Sequence, residues 1–421
     1  MNKIDLVINE VLGKIKLEYE IFEKIKKISK DFCMKLSNDL NKKGILADVF
    51  VGGSLAKKTL VKKDKYDIDV FVRFNKKYID SDISVILEKV LSKKVEKIHG
   101  SRDYFQLEVE DNIIIEIIPV IKISKPENNI NVTDLSYFHV KYMSNRTKEN
   151  PGLSDEIILC KSFCHACDCY GAESYIQGFS GYAIELLISY YGSFKKFITF
   201  ISKSKVDEKI IIDENKFYSN KNNVLKEMNE AKILNPIILI DPTFKERNAL
   251  SSLSNETFEK FREYCKSFLK NPSVSYFEVK DIQKEMESLN DVRIVSIVTT
   301  KQAGDISGTK SKKFFNFFIR ELLKEFKLKR NEFFYDDKKN ISFIYLVVDK
   351  KSDEIKKGPP VSSVQGMNAF KKVHPDSYIK NNYSWIKISH DLSFDKFFKK
   401  FVKDFSKVIN EMSIKEIRLV K

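Results

Sequence analysis

The chain has 421 residues, of which 43% are hydrophobic and 12% aromatic, so it can form sizeable buried cores and lies outside the composition of disordered proteins. Its 74 lysines and arginines exceed its 59 aspartates and glutamates, and the resulting net charge of +15 favours a polyanionic partner. The sequence lacks the run of about eighteen apolar residues that predicts a membrane helix, and its N-terminus does not resemble a signal peptide. Six cysteines are too few for a disulfide scaffold. We therefore expect a soluble, cytoplasmic, multidomain protein.

The first 123 residues change from a helical to a strand pattern. In residues 1–43 apolar side chains recur every three or four positions, which predicts two amphipathic helices. Strands are predicted over residues 45–51, 65–74 and 112–123. Between the first two strands, Gly52-Gly53-Ser54 predicts a tight turn into a short helix. This mixture predicts a small sheet with helices packed on it.

The remainder of the chain is mainly helical at first and mixed afterwards. Helical patterns cover residues 150–200, 255–269, 310–328 and 394–410, and strand patterns cover residues 292–298, 341–348 and 417–420. We expect an α+β multidomain protein with a sheet domain (residues 1–145), a mainly helical central domain (146–272) and an α/β C-terminal region (273–421).

Two aspartates, Asp67 and Asp69, alternate with apolar residues in the second predicted strand. Since side chains two positions apart share one face of a strand, both carboxylates point to the side opposite the apolar residues. Like charges side by side favour a cation between them, so the pair indicates a divalent metal. The turn at Ser54 offers backbone N–H groups for a phosphate, and Lys57 adds positive charge one turn later.

Glu116 is the single charged residue in the stretch Ile113–Pro119 of the third predicted strand. An isolated carboxylate is costly to bury without a partner or a metal ion. Together with Asp67 and Asp69 it predicts a two-metal site for phosphoryl transfer. An Asp-x-Asp pair by itself is usually a solvated strand edge, and the third acid and the nearby turn are what favour the functional interpretation.

These residues resemble the nucleotidyltransferase superfamily that includes DNA polymerase beta and the poly(A) polymerases. More narrowly, the chain resembles the archaeal-type (class I) CCA-adding enzymes, which are tRNA nucleotidyltransferases. The matching stretches are Gly53–Thr59, Asp134 with Ser136–His139, Leu159–Phe163, Tyr170–Glu173, Gly178–Tyr182, Asp241-Pro242, Arg247–Ala249 and Gly358–Val361. The sequence departs from the family pattern at Glu116, where Asp is usual, at Leu135, which replaces an arginine, and at Leu60, which replaces an aromatic residue.

The resemblance implies a polymerase-beta-like catalytic head in residues 1–145, a nucleotide-recognising neck in residues 146–272, and a tRNA-binding body and tail in residues 273–421. It implies that Asp67, Asp69 and Glu116 bind two Mg²⁺ ions and carry catalysis. The nucleotide-binding residues that it implies are Gly53, Ser54, Lys57, Ser136, His139, Lys161, Tyr170 and Arg247. In this scheme Arg247 faces the base of CTP or ATP.

The implied activity is the sequential addition of C, C and A to the 3′ end of tRNA from CTP and ATP, without a template and with release of pyrophosphate. Two alternatives remain open: a poly(A)-type RNA nucleotidyltransferase, and a tRNA-binding protein whose transferase site has decayed. The length of the chain and its basic C-terminal third argue against a small-molecule adenylyltransferase. The sequence is compatible with a homodimer.

Residues 308–330 combine eight lysines and arginines with five phenylalanines. The phenylalanines predict the buried face of a helix, while the basic side chains form either a solvated face or an RNA contact. The RNA-contact hypothesis applies to Lys310, Lys312, Lys313 and Arg320. The family resemblance implies that this region binds the acceptor and TΨC arms of tRNA.

Cys160, Cys164 and Cys167 recur along one stripe of a predicted helix, near Cys169 and His165. This cluster is compatible with a zinc site or with thiols packed in a core. Closed zinc sites usually pair two ligand clusters, and only two other cysteines exist in the chain, so we favour core packing.

Overall fold

The computed structural model describes residues 2–91, 94–100, 102–110, 112–205, 208–300, 304–336 and 339–421. The chain divides into two compact units, Met1–Lys280 and Asp281–Lys421. None of the helices in the described ranges is long and apolar enough to cross a membrane.

The first unit begins with the two predicted helices, α1 (Lys3–Ile15) and α2 (Tyr19–Lys42). A five-stranded mixed sheet follows, with the spatial order β1-β2-β5-β4-β3. The elements of this part are β1 (Ala47–Val51), α3 (Gly53–Ala56), β2 (Tyr66–Phe74), α4 (Ile83–Glu88), β3 (Glu96–Ile98), β4 (Tyr104–Glu110) and β5 (Ile113–Ile121). The three predicted strands and the turn into a short helix are confirmed. Strands β3 and β4 were not predicted, because β3 has three residues and β4 carries polar residues on its half-exposed face.

The parallel pair β2 and β5 lies in the middle of this sheet. Its register places Asp69 opposite Glu116 and Asp67 opposite Ile114. Ile68 and Val70 on β2 are fully buried on the other face, as are Ile115 and Ile117 on β5. The prediction that Asp67 and Asp69 share one face is therefore confirmed, and Glu116 joins them there because paired residues of neighbouring strands point the same way.

The rest of the first unit is mainly helical. Its elements are α5 (Ser136–Glu149), α6 (Leu153–Ala166), α7 (Gly181–Tyr191), α8 (Phe194–Lys203), β6 (Ile210–Ile212), α9 (Lys221–Glu227), α10 (Glu230–Ile233), β7 (Ile237–Asp241), β8 (Phe244–Asn248) and α11 (Asn255–Lys270). The helical pattern predicted over residues 150–200 is confirmed as separate helices, and Gly192 ends α7 in the left-handed conformation with φ +79°. The small sheet β6-β7-β8 was not predicted.

One large apolar core joins these helices. At its centre the ring of Phe163 is fully buried, and five other rings surround it at centroid distances of 4.8–5.9 Å: Phe194, Phe261, Tyr264, Phe268 and Phe277. Val7 and Val11 of α1 pack into the same core, so the N-terminal helix belongs with the helical part of the unit. The division at residue 145 stays a prediction, and α5 runs across it.

The cysteine cluster lies inside this core. Cys160, Cys164, Cys167, Cys169 and Cys265 are all buried with free thiols. Burial raises the pKa of Cys164 and of Cys265, so neither thiol is prone to ionise. The expected packing of thiols in an apolar core is confirmed.

The second unit contains a four-stranded antiparallel sheet in the order β10-β11-β9-β15 and a separate three-stranded sheet in the order β12-β14-β13. Its elements are α12 (Ile282–Glu287), β9 (Val292–Thr299), α13 (Gly304–Glu325), β10 (Phe326–Asp336), β11 (Ile341–Lys350), β12 (Glu354–Pro360), α14 (Val364–Val373), β13 (Tyr378–Lys380), β14 (Tyr383–Ile388), α15 (Phe394–Asp404), α16 (Ser406–Glu411) and β15 (Ile414–Leu419).

Two boundaries in this unit differ from the prediction. The long helix ends at Glu325, and the basic residues after it belong to strand β10. The helix expected over residues 394–410 is interrupted at Phe405, which caps α15. After Glu325 basic and apolar residues alternate and fit either period, and pairing with β11 decides in favour of a strand. At Phe405 the chain stays helical on both sides, as α15 and α16. The core of this unit contains the buried rings of Phe314 and Phe318, so the predicted apolar face of α13 is confirmed.

Phe163→Ala tests the importance of the aromatic core. Removing a fully buried ring that five others surround should lower the free energy of unfolding by about 3–5 kcal/mol. Urea unfolding followed by circular dichroism measures this loss. Phe217→Ala is the matched control, because Phe217 is 43% exposed and its loss should change stability by less than about 1 kcal/mol. Equal effects of the two substitutions would contradict the assignment of this core.

Candidate active site

Three carboxylates line the outer face of the β2 and β5 pair. Asp67 is about half exposed and its Oδ2 lies 2.7 Å from Lys63 Nζ, whereas Asp69 and Glu116 are partly buried. Burial raises the pKa of Asp69 above its usual range, and the Asp67 charge adds to the effect. Burial also raises the pKa of Glu116 to about 7, with a further contribution from the charge of Asp69. The two carboxylates therefore repel each other in a poorly solvated place.

The chemistry of this donor set fits a divalent cation. Carboxylate oxygens are the ligands that Mg²⁺ prefers, and a cation between Asp69 and Glu116 would offset their repulsion. In the described ranges, no group of three or more aspartate, glutamate, histidine or cysteine side chains is arranged so that it could hold a metal ion. Asp67 turns instead to Lys63, and Glu116 accepts a hydrogen bond from Gln106 Nε2 at 2.8 Å.

The turn before α3 passes directly over Asp69. Gly53 has φ +55°, and a Cβ atom at this position would lie 1.6 Å from Asp69 Oδ2. The backbone N–H of Gly52 also donates to the carbonyl of Asp69 at 2.8 Å. Only glycine allows this approach, since any side chain would overlap the carboxylate. The turn therefore holds Ser54, the next residue of the one-turn helix α3, beside the acids.

Two lysines predicted to contact the triphosphate share one buried glutamate. Lys57 Nζ lies 2.7 Å from Oε2 of Glu185, and Lys161 Nζ lies 2.8 Å from Oε1. Lys161 also donates to Thr59 Oγ1 at 2.9 Å. Burial raises the pKa of Asp69, and the charges of Lys57 and Lys161 oppose that shift, so both lysines lie within electrostatic reach of the acids.

A second cluster surrounds Asp241 at the end of β7. Its carboxylate lies 3.0 Å from His139 Nε2 and 2.8 Å from Arg247 Nη1, and it accepts a hydrogen bond from the Tyr182 hydroxyl at 3.0 Å. Burial opposes the ionisation of Asp241, but His139 and Arg247 outweigh it and hold the pKa of this carboxyl below its usual range. Burial lowers the pKa of His139 more than Asp241 raises it. The His139 ring stacks on Tyr182 with centroids 4.0 Å apart.

The remaining predicted nucleotide contacts lie beside these clusters. The Tyr170 hydroxyl approaches Gly181 so closely that a Cβ there would lie 2.8 Å from it, and burial raises the pKa of this tyrosine well above its usual range. Ser136 is the first residue of α5, three positions before His139 on the same helix. The predicted site residues of the first unit thus come from the sheet part and the helical part together.

The predicted site residues did not include Thr59, Tyr182, Glu185 or Asp241, which belong to these clusters. Glu185 is the single charged residue of α7, in the same way that Glu116 is the single charge of β5, and that pattern could have indicated it. Asp241 ends the otherwise apolar strand β7. Lys57 and His139 are more than a hundred residues from Glu185 and Asp241, so these two pairings were not predictable from spacing. Arg247 is only six residues from Asp241.

The predicted RNA contacts lie on α13 in the second unit. Lys313 and Arg320 are exposed, and the guanidinium of Arg320 lies over the ring of Phe317 at 5.2 Å. Lys310 is partly buried and donates to Ser413 Oγ at 2.8 Å, and the ammonium of Lys312 lies over the ring of Phe315 at 4.7 Å.

A groove of about 790 Å³ lies between α2, β1, α3 and the start of α6. Its walls include the apolar residues Phe22, Phe50, Leu55 and Ile158. None of the three carboxylates lines it, so it is distinct from the acidic site.

Comparison with known protein families agrees with this geometry. A family model described as "Nucleotidyltransferase domain" matches residues 33–135, and one described as "tRNA nucleotidyltransferase, second domain" matches residues 155–278. The first match contains the carboxylates and the Gly53 turn, and the second contains Lys161, Glu185, Asp241 and Arg247. His139 lies between the two matches.

Solved structures with the same fold have very different sequences. A structure of Cid1, described as having RNA terminal uridylyl transferase activity, gives a TM-score of 0.51 at 14% identity and covers 66% of this chain and 99% of its own. Cid1 poly(U) polymerase with bound 3′-dATP gives a TM-score of 0.50 at 15% identity, over 65% of this chain and 98% of its own. These similarities confirm the expected α+β nucleotidyltransferase fold.

Curated relatives resemble the chain more closely in sequence. The CCA-adding enzyme of Nanoarchaeum equitans is 41% identical over 242 residues, which cover 57% of this chain and 58% of that protein. The CCA-adding enzyme of Methanocaldococcus jannaschii is 30% identical over 398 residues, which cover 90% of this chain and 86% of that protein. Since the second match extends through both compact units, the chain belongs to the CCA-adding enzyme family of tRNA nucleotidyltransferases.

Proposed function

We propose that this protein adds C, C and A in turn to the 3′ end of tRNA, using CTP and ATP and releasing pyrophosphate, without a nucleic-acid template. The observation that carries the proposal is the pairing of Asp69 with Glu116 beneath the Gly53 turn, in a chain of the CCA-adding family. All three acids are present on one face, which argues against a decayed site. Glutamate in place of the usual aspartate at position 116 keeps a carboxylate there.

Asp67, Asp69 and Glu116 would hold two Mg²⁺ ions. When bound, the metal ions make the attacking hydroxyl more acidic and neutralise the charge that develops on the phosphates. The terminal hydroxyl of the tRNA attacks the α-phosphorus, the bond to the oxygen bridging the α- and β-phosphorus atoms breaks, and pyrophosphate leaves. The protein's part in this step is to align the hydroxyl and the triphosphate.

The triphosphate would lie against the turn at Ser54 and the two lysines Lys57 and Lys161. Both ammonium groups act electrostatically on Asp69 and would balance the negative charge of the phosphates. The hydroxyl of Tyr170, beside Gly181, would donate a further hydrogen bond. These contacts are the same for CTP and ATP, so they bind the nucleotide without selecting its base.

Selection of the base would depend on Arg247, with His139 and Ser136 near the ribose. Asp241 holds one end of the guanidinium at 2.8 Å, which limits the directions in which Arg247 donates hydrogen bonds. A fixed donor penalises a base that leaves it unpaired more strongly than shape alone excludes that base. This fits an enzyme that must distinguish CTP and ATP from UTP and GTP without a template.

The tRNA would contact the second unit through α13. Exposed Lys313 and Arg320 are better placed for phosphate contacts than Lys310, which is partly buried and bonded to Ser413. Such contacts read the shape of the acceptor and TΨC arms rather than their sequence.

The direct test is transfer onto a tRNA transcript that lacks its CCA end, with Mg²⁺ and each nucleoside triphosphate supplied singly and in pairs. We expect two C residues from CTP, followed by one A when ATP is present. Unlimited addition of A from ATP alone would instead identify a poly(A)-type enzyme.

Asp67→Ala/Asp69→Ala should abolish transfer while tRNA affinity stays within about twofold, because phosphate contacts elsewhere dominate RNA binding. Transfer that survived this double substitution would contradict the assigned acids.

Gly53→Ala tests the close approach of the turn to Asp69. The added Cβ would overlap the carboxylate, so we expect transfer to fall by about a hundredfold or more with tRNA binding retained. Gly44→Ala is the matched control, since Gly44 also has a positive φ of +65° but no atom lies within 4 Å of the added carbon. A Gly53→Ala variant as active as Gly44→Ala would show that the turn does not constrain the site.

A further inference from the structure

Glu185 occupies an unusual position for a charged residue. It lies in the middle of α7, is fully buried, and is surrounded along the helix by apolar residues. Each of its two carboxylate oxygens has its own lysine, at 2.7 Å for Lys57 and 2.8 Å for Lys161. The side chains of these lysines are also almost completely buried, with exposures of 9% and 5%.

The cluster of Glu185, Lys57 and Lys161 joins three separate segments of the first unit. Lys57 follows the turn that covers Asp69, Lys161 belongs to α6, and Glu185 belongs to α7. Thr59 completes the cluster, because its hydroxyl accepts from Lys161 at 2.9 Å and lies 3.1 Å from Oε1 of Glu185. The ammonium of Lys161 is thus fixed from two sides. Neither lysine can move independently of the glutamate.

The charge balance of the cluster leaves one positive charge in excess. Two ammonium groups face one carboxylate, and both cations act electrostatically on Asp69. Glu185 itself cannot bind a triphosphate, since like charges repel. Its contribution to an anion site can only be made through the lysines that it holds.

Stability alone is a weak reason for such a cluster. Burying an ion pair requires the removal of water from each charge, and apolar side chains of similar size often stabilise a core at least as well. The cluster also includes Lys57, which directly follows the turn over Asp69, and both of its lysines act electrostatically on that carboxylate. Position and charge therefore both indicate a role in nucleotide binding.

We propose that Glu185 is a positioning residue that fixes Lys57 and Lys161 at the separation required by the triphosphate. This inference rests on the proposed function, in which the two lysines contact the nucleotide. Glu185 holds one lysine from the sheet part and one from the helical part, so it also ties the sheet that carries the acids to α6 and α7.

Glu185→Gln removes the charge and preserves the size of the side chain. We expect the KM for CTP and for ATP to rise about tenfold or more, because misplaced lysines lose contact with the phosphates. The KM for tRNA should stay within about twofold, since tRNA contacts lie elsewhere. Glu156→Gln is the matched control: Glu156 lies on α6, its carboxylate accepts from the Phe194 N–H at 2.7 Å, and it contacts neither lysine.

The same substitution in a Lys161→Met background separates positioning from a general structural effect. With one of the two lysines removed, Glu185→Gln should raise the nucleotide KM by clearly less than it does in the wild type. An equal rise in both backgrounds, an unchanged nucleotide KM, or the same rise for Glu156→Gln would overturn the proposal. If Glu185→Gln does not fold, the same comparison with Glu185→Asp applies, and the shorter carboxylate should give a smaller rise of the same kind.

Inorganic tripolyphosphate is a second probe, because it has neither base nor sugar. Its stabilisation of the folded protein against heat should be weaker for Glu185→Gln than for Glu156→Gln, and equal stabilisation would overturn the proposal. A wild-type protein that binds tripolyphosphate but adds no nucleotide to tRNA would contradict the proposed function instead. The two failures are therefore distinguishable.

Discussion

The repulsion between Asp69 and Glu116 is the constraint on which the site depends. The parallel register of β2 and β5 places these carboxylates opposite each other, and the apolar residues behind them fix the strands in that register. Two acids in a partly buried place are unstable as neighbouring anions, and the pKa of Glu116 is raised to about 7 as a result. The sheet therefore maintains a place where a divalent cation is favourable.

Buried carboxylates of the helical part hold basic side chains near the acidic site. Glu185 fixes two lysines near the acids, and Asp241 fixes a histidine and an arginine. In each cluster a buried carboxylate holds long basic side chains that would otherwise be mobile: Lys57 and Lys161 in one, Arg247 in the other. In the proposed function, the two lysines would contact the phosphates and Arg247 the base. The phosphate contacts and the base contacts would then have separate supports, which suits an enzyme that uses both CTP and ATP.

The acids were predictable from the sequence because a strand has a fixed period of two. Asp67 and Asp69 alternate with apolar residues, and Glu116 is isolated in an apolar strand, so their shared face follows from local pattern alone. The Gly53 turn and the two N-terminal helices were predictable for similar local reasons. The family resemblance then predicted that Lys161, Tyr170 and Arg247 bind the nucleotide.

The pairing of Glu185 with its two lysines was not predictable, because it depends on residues that are distant in sequence. Nothing near Lys57 or Lys161 indicates that both contact Glu185, more than a hundred residues after the first of them. The end of α13 at Glu325 was also missed, since the basic and aromatic residues that follow fit a helix or a strand. Pairing with the neighbouring strand β11 makes these residues a strand.

Binding of Mn²⁺ to the full-length protein, followed by electron paramagnetic resonance, tests the central claim that Asp67, Asp69 and Glu116 form a metal site. A carboxylate must be ionised to bind a metal, and the pKa of Glu116 lies at about 7. We therefore predict that Mn²⁺ affinity weakens as the pH falls from about 8 to about 6, and that Glu116→Gln removes most of this dependence. Mn²⁺ binding that is unchanged in Asp67→Ala/Asp69→Ala would contradict the account.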